Sequence, residues 1–129
     1  MKLSELLTGA ATDGVYRVGA DASPAAIERV AERAGWTVAT VAVPDVVDKR
    51  SVLAAFQDAL GFPDWFGRNL DAFADSLRDV ATEPGTLVVW HGAERLAEAD
   101  PQAYRAMLTI LRDRATAGGP ARMLTLLVA

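Results

Sequence analysis

The chain has 129 residues, 51% of them apolar, one histidine, no cysteine and a formal charge of −4. That length suits one domain with a real hydrophobic core and is too short for two of ordinary size. Without cysteine there are no disulfides, thiolate metal sites or cysteine nucleophile, and with His91 alone there is no multi-histidine zinc site.

No stretch is long and apolar enough to cross a membrane, and "MKLSELLTGAATDG" lacks an apolar run followed by a cleavage site. A soluble, cytoplasmic protein is expected. The charge is unevenly placed: residues 58 to 83 carry six acids (Asp58, Asp64, Asp71, Asp75, Asp79, Glu83) against Arg68 and Arg78, which is −4, so the rest sums to zero. A local negative field argues against nucleic acid as a partner for this surface and for a cation or a basic protein.

"GVYRV" (14 to 18) reads as a short strand. "ASPAAIERVAERAGW" follows with Ser23 as N-cap, Pro24 at the first helical position, Ile27, Val30, Ala31 and Ala34 on one face, and Gly35 to stop it. "TVATVAV" (37 to 43) is the next strand, closed by Pro44, and strand, helix and strand together read as a βαβ unit. Asp48 then caps a helix whose apolar face is Val52, Leu53, Phe56, Ala59 and Leu60, with Gly61 at its C-terminus.

After a turn at Phe62 and Pro63, Asn69 is the N-cap of a helix running to Val80. At 100° per residue from Asp71, the apolar Val80, Phe73, Leu77 and Leu70 fall at about 180°, 200°, 240° and 260°, while Asp71, Asp75 and Asp79 fall at about 0°, 40° and 80°. The three carboxylates therefore point away from the core. Stacked like charges cost a few tenths of a kcal/mol per pair; the helix dipole compensates Asp71, and Arg78 is placed to pair in part with Asp75. A solvated helix face accounts for such a stripe when taken alone. In the preceding turn Phe66 is expected in the core and Trp65 exposed beside the carboxylates, as aromatic anchors are at protein interfaces.

"TLVVW" (86 to 90), between Gly85 and Gly92, reads as a strand buried on both faces, with His91 at its end. No nucleophile motif flanks that histidine, which argues against a Ser-His-Asp triad. Asp100 and Pro101 open a helix with Tyr104, Met107, Leu108 and Leu111 inside, ended near Gly118 and Gly119, and "MLTLLV" (123 to 128) is the last strand. The expected fold is α/β: four strands in a small, mainly parallel sheet covered by helices.

"LGFPDWFGRNLDAFADSL" resembles the signature of the barstar family, intracellular inhibitors of barnase-type ribonucleases. The likeness extends through "TLVVW", "LRDRATAG" and "MLTLLV", over roughly residues 36 to 129. It implies a small domain whose core is three barstar-like strands; residues 1–35 lie outside the resemblance and are read as a strand and a helix that extend the sheet at one edge of the same single domain. The resemblance also implies a cytoplasmic, non-enzymatic inhibitor without metal or cofactor, in one-to-one complex with a basic secreted ribonuclease.

Residue by residue, Trp65 matches the family's loop aromatic that packs on the enzyme's catalytic residues, and Gly67 and Asn69 match the tight approach to the helix. Asp75 matches the aspartate in the substrate phosphate site, Asp71 the second helix carboxylate, and Asp113 an acidic contact in the last helix. Ala74, where family members can carry a bulky aromatic, and the cations Arg68 and Arg78 depart from the family pattern. Two other functions compete: an interaction module binding a different basic protein, and an enzyme using Asp71 and Asp75 as acid and base or as metal ligands. Carboxylates at i and i+4 supply only part of a metal shell, which weighs against the second.

Overall fold

Two apolar strands, β3 (Gly85–His91) and β4 (Arg122–Val128), pair in parallel with Gly85 opposite Arg122 and His91 opposite Val128, and they form the middle of the sheet. In this computed structural model, which describes residues 3, 7, 14–18, 23–63 and 69–128, β1 (Val15–Val18) joins β4 and β2 (Thr37–Val41) joins β3, both in parallel. The order is β1-β4-β3-β2, so the mainly parallel sheet expected from the sequence is a four-stranded, wholly parallel one among the described residues.

Alternate side chains of the central strands feed two cores, as the period of two requires. Val88, Trp90, Met123 and Leu127 point into a layer shared with Phe56, Phe73, Leu77 and Leu111, carried by helices α2 (Lys49–Leu60), α3 (Leu70–Arg78) and α5 (Pro101–Thr116). Leu87, Val89, Leu124 and Leu126 point the other way, onto Ile27 and Ala31 of α1 (Pro24–Arg33) and onto Leu7 and Trp36. Burial on both faces explains why "TLVVW" is uninterruptedly apolar.

The helix starts follow the capping rule: Ser23 Oγ, Asp48 Oδ1, Asn69 Oδ1 and Asp100 Oδ1 each accept from the backbone N–H three residues on, at 3.3, 2.8, 2.8 and 3.0 Å. Gly61 ends α2 at φ 69°, a left-handed conformation that glycine adopts without penalty.

β1, α1 and β2 do run as two parallel strands of one sheet with a helix between them, as a βαβ unit requires, but the strands lie at opposite edges with β4 and β3 between them. Two details of the sequence reading differ. β2 ends at Val41, two residues short of Val43. A helix absent from the sequence reading, α4 (Ala93–Ala99), precedes α5; its N-cap, Gly92, has no side chain to announce it.

β1 is tied to the rest through Arg17, whose Nη2 donates to Tyr104 Oη at 3.1 Å and whose Nη1 lies 3.4 Å from Glu94 Oε1. Among the described residues, those ahead of Trp36 thus place β1 at the β4 edge of the sheet and α1 over the face that carries Leu87, Val89, Leu124 and Leu126. Among the described residues no helix is long and apolar enough to cross a membrane.

Candidate functional site

The acidic helix α3 is short, nine residues, and is held in place from three directions. At its start Asn69 has an extended backbone and its Oδ1 satisfies Ala72 N–H, one of the donors a helix N-terminus leaves unpaired. Asp71 sits in the first turn, against the positive end of the dipole, and Arg78 in the last turn, against the negative end.

Beneath α3, Phe73 and Leu77 are wholly buried. The Phe56 ring lies 5.0 Å from both Phe73 and Trp90, edge-on to each at 74° and 80°. Such pairs favour this geometry because the positive ring edge meets the negative ring face. One contact chain therefore runs from α3 through Phe56 of α2 to β3, and it fixes how the acidic helix is rotated about its axis.

At its far end α3 stops at Arg78, with Asp79 as C-cap. Val80 lies beyond the helix rather than on its last turn, although it still packs against the core. The terminal carbonyls are taken up by Arg114 of α5: its Nε donates to Leu77 O at 2.8 Å, and its Nη2 to Val80 O at 2.7 Å and to Ala121 O at 3.0 Å. Burial lowers the pKa of this guanidinium from the usual arginine value. Arginine nonetheless keeps its charge at any ordinary pH, and a cation is well placed where the helix dipole turns negative.

The sequence reading missed Arg114. The signal was available: it falls three residues after Leu111 and seven after Met107, in the apolar register of its own helix, where an unpaired charge would be costly.

Asp71, Asp75 and Asp79 are all exposed on the side opposite Phe73 and Leu77, as the helical spacing predicts. Asp75 is not solitary: its Oδ1 accepts from Nη2 of Arg78, and both side chains are more than two-thirds exposed, at 68% and 69%. Asp113, exposed on α5, lines a cleft of about 240 Å³ with Ala74 and Arg78 of α3 and with Ile110, Arg114 and Ala117. The structure thus brings Asp113 alongside the flank of α3 that carries Arg78.

Trp65, Gly67, Phe66 and Arg68 lie outside the described residues. The chain on either side of them is anchored. Phe62 is buried and its N–H meets Gln57 O at 3.1 Å, while Gln57 Nε2 donates to Pro63 O at 3.1 Å; Asn69 caps α3 on the other side.

Among the described residues no group of three or more His, Asp or Glu side chains is arranged to hold a metal ion. What the site does offer is a row of carboxylates on a helix fixed at both ends and along its base. Carboxylates on a backbone held in this way are able to accept charge-assisted hydrogen bonds from arginine, lysine or histidinium groups with little cost in ordering the helix.

No individually curated protein matches the chain. Residues 36–128 match the family model described as Barstar (barnase inhibitor). The match begins at Trp36, just before β2, and takes in β2 to β4 and α2 to α5, well over half of the 129 residues. The chain belongs to the barstar family of barnase inhibitors.

Proposed function

We propose that this protein inhibits a basic ribonuclease of barnase type inside the cell that makes it, by placing α3 and the loop before it in the enzyme's active site in a one-to-one complex. The observation that carries the reading is the carboxylate row of α3, exposed on a helix held by Asn69 at one end and Arg114 at the other. A ribonuclease must present cations to an RNA phosphate, and a carboxylate on a rigid helix offers oxygens to those same donors. On this reading Asp75 takes the phosphate's place and Asp71 supports it. Asp113 contributes from α5, Trp65 packs on the enzyme's catalytic groups, and Gly67 and Asn69 shape the approach. The protein acts by occlusion rather than as an enzyme, its N-terminal strand and helix belonging to the same domain.

Repulsion within the stripe, a few tenths of a kcal/mol per pair, is small beside a desolvated interface pair, for which couplings of roughly 1.5 to 7 kcal/mol were measured on barnase and barstar themselves. The test is kinetic. With a barnase-type ribonuclease immobilised, Asp75→Ala should accelerate dissociation strongly and Asp79→Ala should change little; equal, small effects of both would sink the assignment.

The Arg78–Asp75 pair favours a second reading, in which the same face binds a different basic protein, because one carboxylate is already partly neutralised. Failure to inhibit any barnase-type ribonuclease, together with capture of another basic protein that Asp75→Ala releases, would select it.

A further inference from the structure

β2 is an edge strand. It pairs with β3 from Thr37 opposite Thr86 to Val41 opposite Trp90, and among the described residues no strand covers its other side. Open edges present backbone N–H and C=O groups to any other strand, and monomeric proteins blunt them with charge, proline, a bulge or a covering element. "TVATV" has no charge and no proline, and its register with β3 advances one residue at a time without a bulge.

Beside this edge a groove of about 520 Å³ separates Thr40, Val43 and Pro44 from Ser51, Ala54 and Asp58 of α2. Val46, 67% exposed and the large hydrophobic side chain that stands out among the described residues, follows in the same loop.

The surface of α2 next to the groove is self-complementary. Arg50, Ala54 and Asp58 recur every four residues and so form one stripe, with a cation toward one end, a methyl group in the middle and an anion toward the other. Arg50 and Asp58 are exposed and, among the described residues, neither takes part in a salt bridge. At 1.5 Å per residue they stand about 12 Å apart along the axis.

A twofold axis through Ala54 would set Arg50 of one protomer against Asp58 of its partner, twice. Because α2 lies beside β2, the same axis runs the two β2 edges antiparallel, which is the arrangement backbone pairing favours. Paired strands approach to about 4.8 Å whereas helices stay about 8 to 10 Å apart, and the short side chains of Ser51, Ala54 and Ala55 leave the room that this difference requires.

We propose that two copies of the chain associate through the β2 edge, extending the four-stranded sheet to eight strands, with Arg50 of each α2 against Asp58 of the other. A strand from an unrelated protein would use the same backbone groups but would have no reason to match a stripe that is its own complement.

The test is sedimentation of the full chain from micromolar to millimolar concentration at low salt. A dimer is expected. Because the contact occurs twice, Asp58→Arg should raise the dissociation constant roughly tenfold or more, and the exchange Arg50→Asp with Asp58→Arg should restore it. Circular dichroism verifies folding of each variant, and Arg50→Asp alone gives the same readout should Asp58→Arg not fold. A monomer at every concentration, a dimer indifferent to either single reversal, or an exchange that restores nothing overturns the proposal. None of these outcomes depends on ribonuclease binding.

Discussion

Arg114 reaches 37 residues back along the chain to place its Nε–H 2.8 Å from the carbonyl oxygen of Leu77. With two further bonds, to Val80 and Ala121, one guanidinium joins the end of the acidic helix to α5 and to the segment entering β4. The carboxylate-bearing face of α3 is therefore stabilised from behind by a residue on the opposite side of the helix.

Replacing Arg114 with Met keeps most of the volume and removes all three bonds. Hydrogen bonds to charged groups contribute about 1.5 to 3 kcal/mol each, and carbonyls left buried without a donor cost about 1 to 3, while the desolvation of the charge is recovered. The net loss should be about 2 to 4 kcal/mol, read from urea unfolding. Arg114→Lys should recover only part of it, since a single ammonium does not reproduce the forked geometry.

Asn69→Ala should cost about 1 kcal/mol, because Ala72 N–H loses its acceptor at the first turn. On the proposed function, a complex with a barnase-type ribonuclease should weaken by more than that loss of stability alone would give, since the cap would then also orient the helix against the enzyme. Asn69→Asp, which retains an acceptor, is the control: unfolding measurements should place it close to the native protein.

What could be read from the sequence and what could not divide by distance along the chain. The caps of Ser23, Asp48, Asn69 and Asp100 were legible because each bond closes over three residues, and the amphipathicity of α3 because it depends on spacing alone. α4 escaped because Gly92 caps without a side chain and seven residues hold too few turns for a period to emerge. The neighbours of β1 and β2 escaped because strand order is decided by contacts far apart in sequence; periodicity fixes which face of a strand is buried, not which strand lies beside it. In the site, the partner of Asp75 three residues away was legible and the role of Arg114 was not, although its place in an apolar register was the clue.

Asp48 gives a dependence on pH. The Ser51 backbone N–H, 2.8 Å from Oδ1, and then the Ser51 side chain hold this carboxylate below its ordinary value of 3.8. A depressed carboxylate contributes stability that is complete above the unfolded value and is lost as pH falls through the folded one. Unfolding midpoints measured from pH 6 downward should thus fall more steeply for the native protein than for Asp48→Asn, which caps without titrating, and the two curves should separate only near and below 3.8.

Arg78→Ala tests whether Asp75 or Arg78 itself meets the partner. The ion pair with Asp75 is well exposed on both sides, so its removal should alter stability by less than about 1 kcal/mol. Its effect on binding should be larger, for two reasons. The carboxylate of Asp75 becomes free for a cation of the partner, and the charge of residues 58 to 83 moves from −4 to −5, which hastens encounter with a basic protein at low salt. Association should quicken, dissociation should slow, and the salt dependence of the association rate should steepen. In the Asp75→Ala background the slower dissociation should vanish while the faster encounter persists, because only the first acts through Asp75. Weaker binding by Arg78→Ala would mean that Arg78 itself contacts the partner, and the carboxylate row would then share its surface with an acidic group opposite.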